Sequence, residues 1–276
     1  MAYILPRLAL YRLKNLIRNP SFRVVEIINM NTASNAAQGG PRERAPSPFI
    51  PGPNEPCFCG KKKAFGVCCG SKKRDRKPPS GVIVKRAMVK AAFCDKLVAY
   101  ASQQHGKMLG VTAKDQNHVA EVKSIDRQSM AVDLNEKGQA IYSLVEKIFK
   151  NVVSSQLKMD VKHFVYPTLM RYESGGYYHA HTDSEIYNWE LGRWEKRADR
   201  DVSLLIYLNN DFEGGDLHFN YFHYSLSPRK GDVVLFPSDH RYMHEAEMVS
   251  SGTRYVIVSW GSTREASGQL TIDGMR

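Results

Sequence analysis

A β-sandwich or jelly roll buttressed by helices is the fold class this sequence predicts, and two observations predict it. From Gly81 to about Leu157, stretches such as "AFCDKLVAYASQQ" and "GQAIYSLVEKIFKNVVSSQL" repeat apolar residues at the spacing of a helix face. From Val161 onward the pattern changes to short runs rich in branched and aromatic residues: "HFVYPTLMRY", "DVSLLIYLN", "DLHFN", "DVVLFP" and "RYVIVSW". Gly, Asn, Pro and Asp turns separate them. Helices followed by many short strands give a mainly β domain with buttressing helices, of α+β type. With 42% of the 276 residues hydrophobic, the chain can fill a substantial core.

The front of the chain is built differently. Residues 1–80 hold 15 Lys and Arg against 4 Asp and Glu, which leaves 24 of each in the rest of the chain. A basic front on a formally neutral body predicts a tether or docking element, or simply a solvated tail, rather than a uniformly basic nucleic-acid enzyme. Residues 1–29 carry "YILPRLALYRLKNLI", an amphipathic helix or an organellar transit segment if the source is eukaryotic. Met30 opens "MNTASNAAQGG", which reads as an alternative start. The segments are then a basic region and linker at 1–52, a cysteine module at 53–71, a basic linker at 72–80, the main domain at 81–265 and a tail at 266–276. No apolar run approaches the roughly 20 residues that span a bilayer, so a cytoplasmic protein without a membrane partner is expected.

Four of the five cysteines, Cys57, Cys59, Cys68 and Cys69, fall in "PNEPCFCGKKKAFGVCCG" at the spacing C-x-C-x8-C-C, and Cys94 stands apart. This clustering does not suit a secreted disulfide scaffold. Four thiolates from two short loops close a tetrahedral Zn²⁺ site, which supplies folding energy that so small a segment lacks. Gly60, Gly66 and Gly70 allow the tight turns, and Lys61, Lys62 and Lys63 offset the charge of four thiolates. The segment resembles the SEC-C module, the small zinc-binding element at the C-terminus of bacterial SecA ATPases and of many otherwise unrelated proteins. That resemblance implies docking to a protein partner.

"RYESGGYYHAHTD" places His179, His181 and Asp183 at alternate positions, so in a strand all three point to one face. Two histidines and one carboxylate hold Fe(II) on one side and leave the other open. Further ligand candidates are His240 and His244. Ten residues beyond His244, Arg254 opens a strand in which Arg254, Val256, Val258 and Trp260 share one face. An arginine on an apolar inward face needs an anion, and a carboxylate fits its fork.

Tyr172, Gly175, Tyr178, His181 and Asp183 fit Y-x-x-G-x-x-Y-x-x-H-x-D. Here the chain resembles the prolyl 4-hydroxylase-like Fe(II)/2-oxoglutarate dioxygenases. "SIDRQSMAVDL", "SLLIYLNNDFEGGDLHF", "SPRKGDVVLFPS" and "HEAEMVSSGTRYVIVSW" resemble further family segments in order, so the likeness covers roughly 120–262. It implies a double-stranded β-helix (jelly-roll) catalytic domain. It also implies Fe(II) on His181, Asp183 and His244, and Arg254 on the distal carboxylate of 2-oxoglutarate. Tyr172 and Tyr207 would hydrogen-bond that co-substrate. The resemblance further implies O2 as the oxidant, ascorbate as the reductant and a prolyl residue of a protein as the substrate. Collagen-type members often carry Lys where Arg254 stands; the anion role survives that exchange. His179 is then a residue that lines the pocket or supports a ligand, not a ligand itself. Asp183 argues against the halogenase variant, which has a small residue there.

Gly214 and Gly215 are expected to make a turn between strands. Residues 184–201, with Trp189 and Trp194, are long for a hairpin connection and are expected to form a lid over the substrate. An AlkB-type nucleic-acid demethylase shares H-x-D…H…R, but that family places a second arginine six residues after the first, where this chain has Trp260. A zinc-tethered binding adapter with a vestigial core is the other alternative; iron-dependent 2-oxoglutarate turnover separates it from an enzyme.

Overall fold

The computed structural model describes residues 51–59, 61–71, 77–109, 111–114, 119–122, 126–188 and 190–265. The basic segment before residue 51, most of the 72–80 linker, Gly60, Trp189 and the tail lie outside them. The chain divides into two compact units, Met1–Ala45 with Ala113–Ala120, and Pro46–Thr112 with Glu121–Arg276. Of the first, only 113–114 and 119–120 are described, as extended strand. All that follows concerns the second.

Two antiparallel sheets make its body. In the larger, the strands run in the spatial order Ile83–Lys85, Val233–Pro237, Val202–Tyr207, Arg254–Ser262, Thr168–Tyr172, Met130–Val132 and Gly106–Met108, and His163–Phe164 pairs the far end of Arg254–Ser262. In the smaller the order is Tyr224–Leu226, Leu217–Phe219, His244–Ala246, Tyr177–His181 and Arg127–Gln128. The expected helices stand at Ala91–Ser102 and Gly138–Ile148. The second continues through a π-helical segment, Phe149–Val153, into Ser154–Leu157.

Side-chain alternation along each strand explains this arrangement. In the central strand Val202–Tyr207, Val202, Leu204 and Ile206 are fully buried in a core they share with Cys94 and Leu97 of the first helix and Ile141, Val145 and Ile148 of the second. The neighbouring strand adds Tyr255 and Ile257 to that face. The opposite face carries Arg254, Val256 and Val258, which with Val234 and Phe236 meet Leu217, Phe219 and Leu226 of the smaller sheet. Burying one such apolar side chain contributes about 1.5–3 kcal/mol. The face predicted for Arg254, Val256, Val258 and Trp260 is therefore the one between the sheets.

The region read from sequence as helical also supplies short strands, Ile83–Lys85, Gly106–Met108 and Met130–Val132, to the larger sheet. Three residues are too few to display an alternating pattern, and they pair because their neighbours are already in place.

The cysteine segment packs onto this body. Its two loops meet at the Pro56–Ala64 bridge, with Cys57 N–H donating to the Lys63 carbonyl at 2.9 Å and Phe65 N–H to the Glu55 carbonyl at 2.8 Å. Phe65 is its buried centre. A Cβ on Gly70 would sit 2.4 Å from that ring, so close packing demands glycine there. Phe58 lies edge-on to Phe222 at 5.3 Å, and Cys57, Phe65 and Cys69 share one apolar cluster with the inter-sheet core. No described helix is long and apolar enough to cross a membrane.

Candidate active site

His181 ends one strand of the smaller sheet, and His244 begins the strand beside it; the two are paired across the ladder. Their ring centroids are 4.4 Å apart. Asp183, two residues past His181, turns back between them. Its carboxylate oxygens lie 3.6 Å from His181 Nε2 and 3.7 Å from His244 Nε2. One ligand atom of each of the three lies within 4.8 Å of the other two. The rings are already set for a cation. His181 Nδ1 is 2.8 Å from the carbonyl of His179, and His244 Nδ1 is 3.0 Å from that of Tyr242. A carbonyl only accepts, so each Nδ1 carries the proton and each Nε2 offers its lone pair towards Asp183.

The electrostatics agree. Burial, reinforced by the neighbouring His244, lowers His181 to about 3, so its ring is neutral at ordinary pH. Burial alone would raise the Asp183 carboxyl, but His244, His181, Arg200 and the Ser203 hydroxyl outweigh it and hold the group below the usual carboxylate range. Ser203 Oγ donates to Asp183 at 2.6 Å and Arg200 to its backbone carbonyl at 3.1 Å. Tyr178 stacks on His181 with ring centroids 3.6 Å apart.

Across the gap, the larger sheet supplies the second half of the site. Arg254 is 2% exposed and paired in register with Tyr172, whose ring lies 4.1 Å from the guanidinium carbon. Arg254 Nη1 donates to the Gly215 carbonyl, while its Nε is buried with no hydrogen-bond partner. No carboxylate pairs with it among the described residues. A buried cation with an orphaned donor is costly unless an anion arrives. Tyr207, 2% exposed, has its phenol pushed further up by burial. Arg254, Tyr172 and Tyr207 line one cavity of about 170 Å³ together with His181, Asp183 and His244.

Sequence spacing alone left two choices open, and the geometry places each residue. His179, in the middle of its strand, has an exposed side chain and brings its carbonyl, not its ring, to the site. His240 Nδ1 binds Glu185 at 2.6 Å and its ring stacks on Trp194 at 4.8 Å, away from Asp183. Gly214 and Gly215 have φ of +69° and +67° and form the expected turn, yet the Gly215 carbonyl also touches Arg254. Sequence reasoning missed Ser203, Arg200 and Arg127. Arg200 lies 3.8 Å over the Trp260 ring and Arg127 4.7 Å over that of Tyr178, both at the cavity. The 184–201 connection is a hairpin, Glu185–Asn188 with Arg193–Lys196, tied to the body by Glu185 and His240.

At the second cluster, Cys59 and Cys68 sulfurs are 3.4 Å apart and all four thiol sulfurs lie within 4.8 Å of one another. A tetrahedron with metal–sulfur bonds of about 2.3 Å has edges of about 3.8 Å, so the donor set fits one zinc. Burial would raise Cys57, but the backbone N–H groups of Cys59 and Cys69 outweigh it and lower that thiol to about 7, while burial raises Cys69.

Comparison with known proteins bears on the first cluster. Residues 167–262 match the family model described as the 2OG-Fe(II) oxygenase superfamily. A PKHD-type hydroxylase of Crocosphaera subtropica is 29% identical over 126 residues, which are 44% of this chain and 54% of that protein. A protein of Acanthamoeba polyphaga mimivirus, provisionally named a prolyl 4-hydroxylase, is 27% identical over 134 residues, 45% of this chain and 55% of that one. The chain thus spans about half the length of these curated relatives. Among solved structures, a Pseudomonas putida prolyl-4-hydroxylase aligns over 67% of this chain and 93% of its own, with TM-score 0.48 and 16% identity. Over residues 167–262, then, this chain matches the 2OG-Fe(II) oxygenase superfamily, and His181, Asp183, His244, Arg254, Tyr172 and Tyr207 all lie in that stretch.

Proposed function

We propose that the chain is an Fe(II)- and 2-oxoglutarate-dependent dioxygenase that hydroxylates a C–H bond of a protein substrate, a prolyl residue first among candidates. The observation that carries this reading is Arg254: a buried guanidinium with an orphaned Nε, facing the same cavity as His181, Asp183 and His244. Substrate C–H, O2 and 2-oxoglutarate would become the alcohol, succinate and CO2. Iron supplies the O2 chemistry when bound. The chain's own work is positioning. His181 and His244 present fixed Nε2 lone pairs, Asp183 adds the anionic ligand and Ser203 steadies it. Arg254 takes the distal carboxylate of 2-oxoglutarate, with Tyr172 and Tyr207 beside it. Buried side chains from both sheets line the cavity and restrict water there. The prolyl assignment rests on the tyrosine motif ahead of His181 and on the names of relatives.

The four cysteines are proposed to hold one zinc in a SEC-C-like module. The basic front, whose segment before residue 51 lies outside the described residues, is proposed to dock an acidic macromolecular partner, with nucleic acid involved only indirectly. Ascorbate is the proposed reductant. The deciding experiment incubates purified chain with iron and 2-oxoglutarate, measures succinate, and searches co-purifying proteins by mass spectrometry for iron-dependent gain of one oxygen atom on proline. Absence of iron-dependent succinate would leave the adapter reading; oxidised methyl loss from a nucleic acid would leave the demethylase reading. For the docking arm, full chain and residues 51–276, which keep the cysteine segment packed on the body, should differ on the cellular target at low salt and converge as salt rises.

A further inference from the structure

The cysteine cluster and the His181/Asp183/His244 cluster are joined by an unbroken line of contacts. Phe58 stands between two of the cysteines, Cys57 and Cys59, and packs edge-on against Phe222, which is fully buried. Phe222 in turn lies 5.3 Å from the Tyr242 ring. Tyr242 is held from its other end by the chain leaving the cysteine segment: its hydroxyl donates to the Ser80 carbonyl at 2.9 Å. That approach is tight, since a Cβ on Gly81 (φ +86°) would fall 2.1 Å from the hydroxyl. The carbonyl of Tyr242 then takes the Nδ1 proton of His244 at 3.0 Å and so sets that ring. Phe219, 6.5 Å from Phe222 and 6.0 Å from His244, backs the same line.

We propose that metal in the four-cysteine site braces the His181/Asp183/His244 centre through Phe58, Phe222 and Tyr242, so that the second site reaches full metal affinity only when the first is filled. The inference rests on the reading of both clusters as metal sites. Its physical basis is that four metal–sulfur bonds fix the short loop bearing Phe58, and interdigitated aromatic rings pass a displacement on rather than absorb it. Phe58, Phe222 and Tyr242 are positioning residues; only His244 would touch the second metal. Linkage adds a reciprocal requirement: metal at the His181 centre must tighten the cysteine site by the same factor.

The test uses the full zinc-loaded chain and Mn(II), a hard ion that prefers nitrogen and oxygen donors over the thiolates. Mn(II) affinity is read by electron paramagnetic resonance and zinc content by atomic emission. Phe58→Ala should keep one zinc per chain yet weaken Mn(II) about tenfold, on the order of one decade in Kd. Phe58→Leu, which keeps most of the volume, should restore much of it, and Val67→Ala, in the same segment and 75% exposed, should change nothing. Cys57→Ser with Cys59→Ser should lose zinc and weaken Mn(II) at least as far. In the wild type, saturating Mn(II) should lower the zinc Kd, read at equilibrium against a competing chelator, by that same factor. Mn(II) affinity within about twofold of wild type in Phe58→Ala, or an equilibrium zinc Kd indifferent to Mn(II), overturns the coupling alone. A wild-type chain that takes up no Mn(II), or whose uptake survives His181→Ala, overturns the metal-centre reading and the coupling with it.

Discussion

His181 and His244 face each other across adjacent strands, and each gives its Nδ1 proton to the carbonyl two residues before it, that of His179 and that of Tyr242. The same local device thus aims both Nε2 atoms at Asp183. His181→Ala, Asp183→Ala and His244→Ala should each abolish iron-dependent succinate production, because two remaining ligands do not hold the ion. His179→Ala and His240→Ala should retain part of it. Full activity in the His244 variant with loss in the His240 variant would reassign the third ligand.

Arg254 should matter to the co-substrate and little to the metal. Losing a charged, hydrogen-bonded partner in a buried site costs about 2–5 kcal/mol, so Arg254→Ala should raise the KM for 2-oxoglutarate on the order of 30- to several-thousand-fold. Mn(II) affinity should stay near wild type. Arg254→Lys keeps the charge without the fork and should fall between. An unchanged KM in Arg254→Ala would remove the anion-binding role.

The hairpin offers a test of substrate closure. Trp194 stacks on His240 with the rings 10° from parallel, and Glu185 holds His240 from beneath. Trp194→Ala should raise the KM for a peptide substrate several-fold, about 1 kcal/mol for one lost aromatic contact, while peptide-free 2-oxoglutarate turnover changes little. Equal effects on both would make the hairpin a structural element only. Trp189 lies outside the described residues.

Acid stability should follow Asp201, which joins the hairpin's end to the last strand. Burial would raise its carboxyl, but Lys196 at 2.6 Å and the Thr263 N–H and hydroxyl at 2.7 Å each lower it to about 2. The unfolded chain takes up this proton first, near pH 3.9, so the stabilisation is whole above that range and is lost as pH falls through about 2. Asp201→Asn should cost on the order of 1–2 kcal/mol at pH 7 and much less at pH 2. Urea midpoints at the two pH values decide it; an equal loss at both would exclude an ionic cause.

Much of this fold was legible because its signals are local. Val202–Tyr207 reads as a strand from its short apolar, branched run, and both its faces are buried, Val202, Leu204 and Ile206 towards the helices and Leu205 and Tyr207 towards the smaller sheet. The pair His181 and Asp183 was equally plain, being two residues apart. The choice between His240 and His244 was not, since it depends on whether Glu185, 55 residues away, captures His240. Ser203 and Arg200 escaped for the same reason: a serine or arginine declares its role only when the fold sets it beside Asp183. In the cysteine segment the sulfurs were legible from spacing. The reason for Gly70 was not a turn but the face of Phe65.

The division of the site between two sheets has a further consequence. His181 and His244 sit on the smaller sheet, Arg254 and Tyr172 on the larger, and Leu217, Phe219, Val256 and Val258 fill the space between. The thickness of that packed layer is a caliper. A keto diacid bound to metal at one end and to Arg254 at the other must have the length the caliper is set to, because closely packed side chains do not stretch to suit a longer chain or close on a shorter one. Selection of a five-carbon keto diacid over its four- and six-carbon homologues would then be a property of the core, and Val256→Ala, which alters no charge, should blur it.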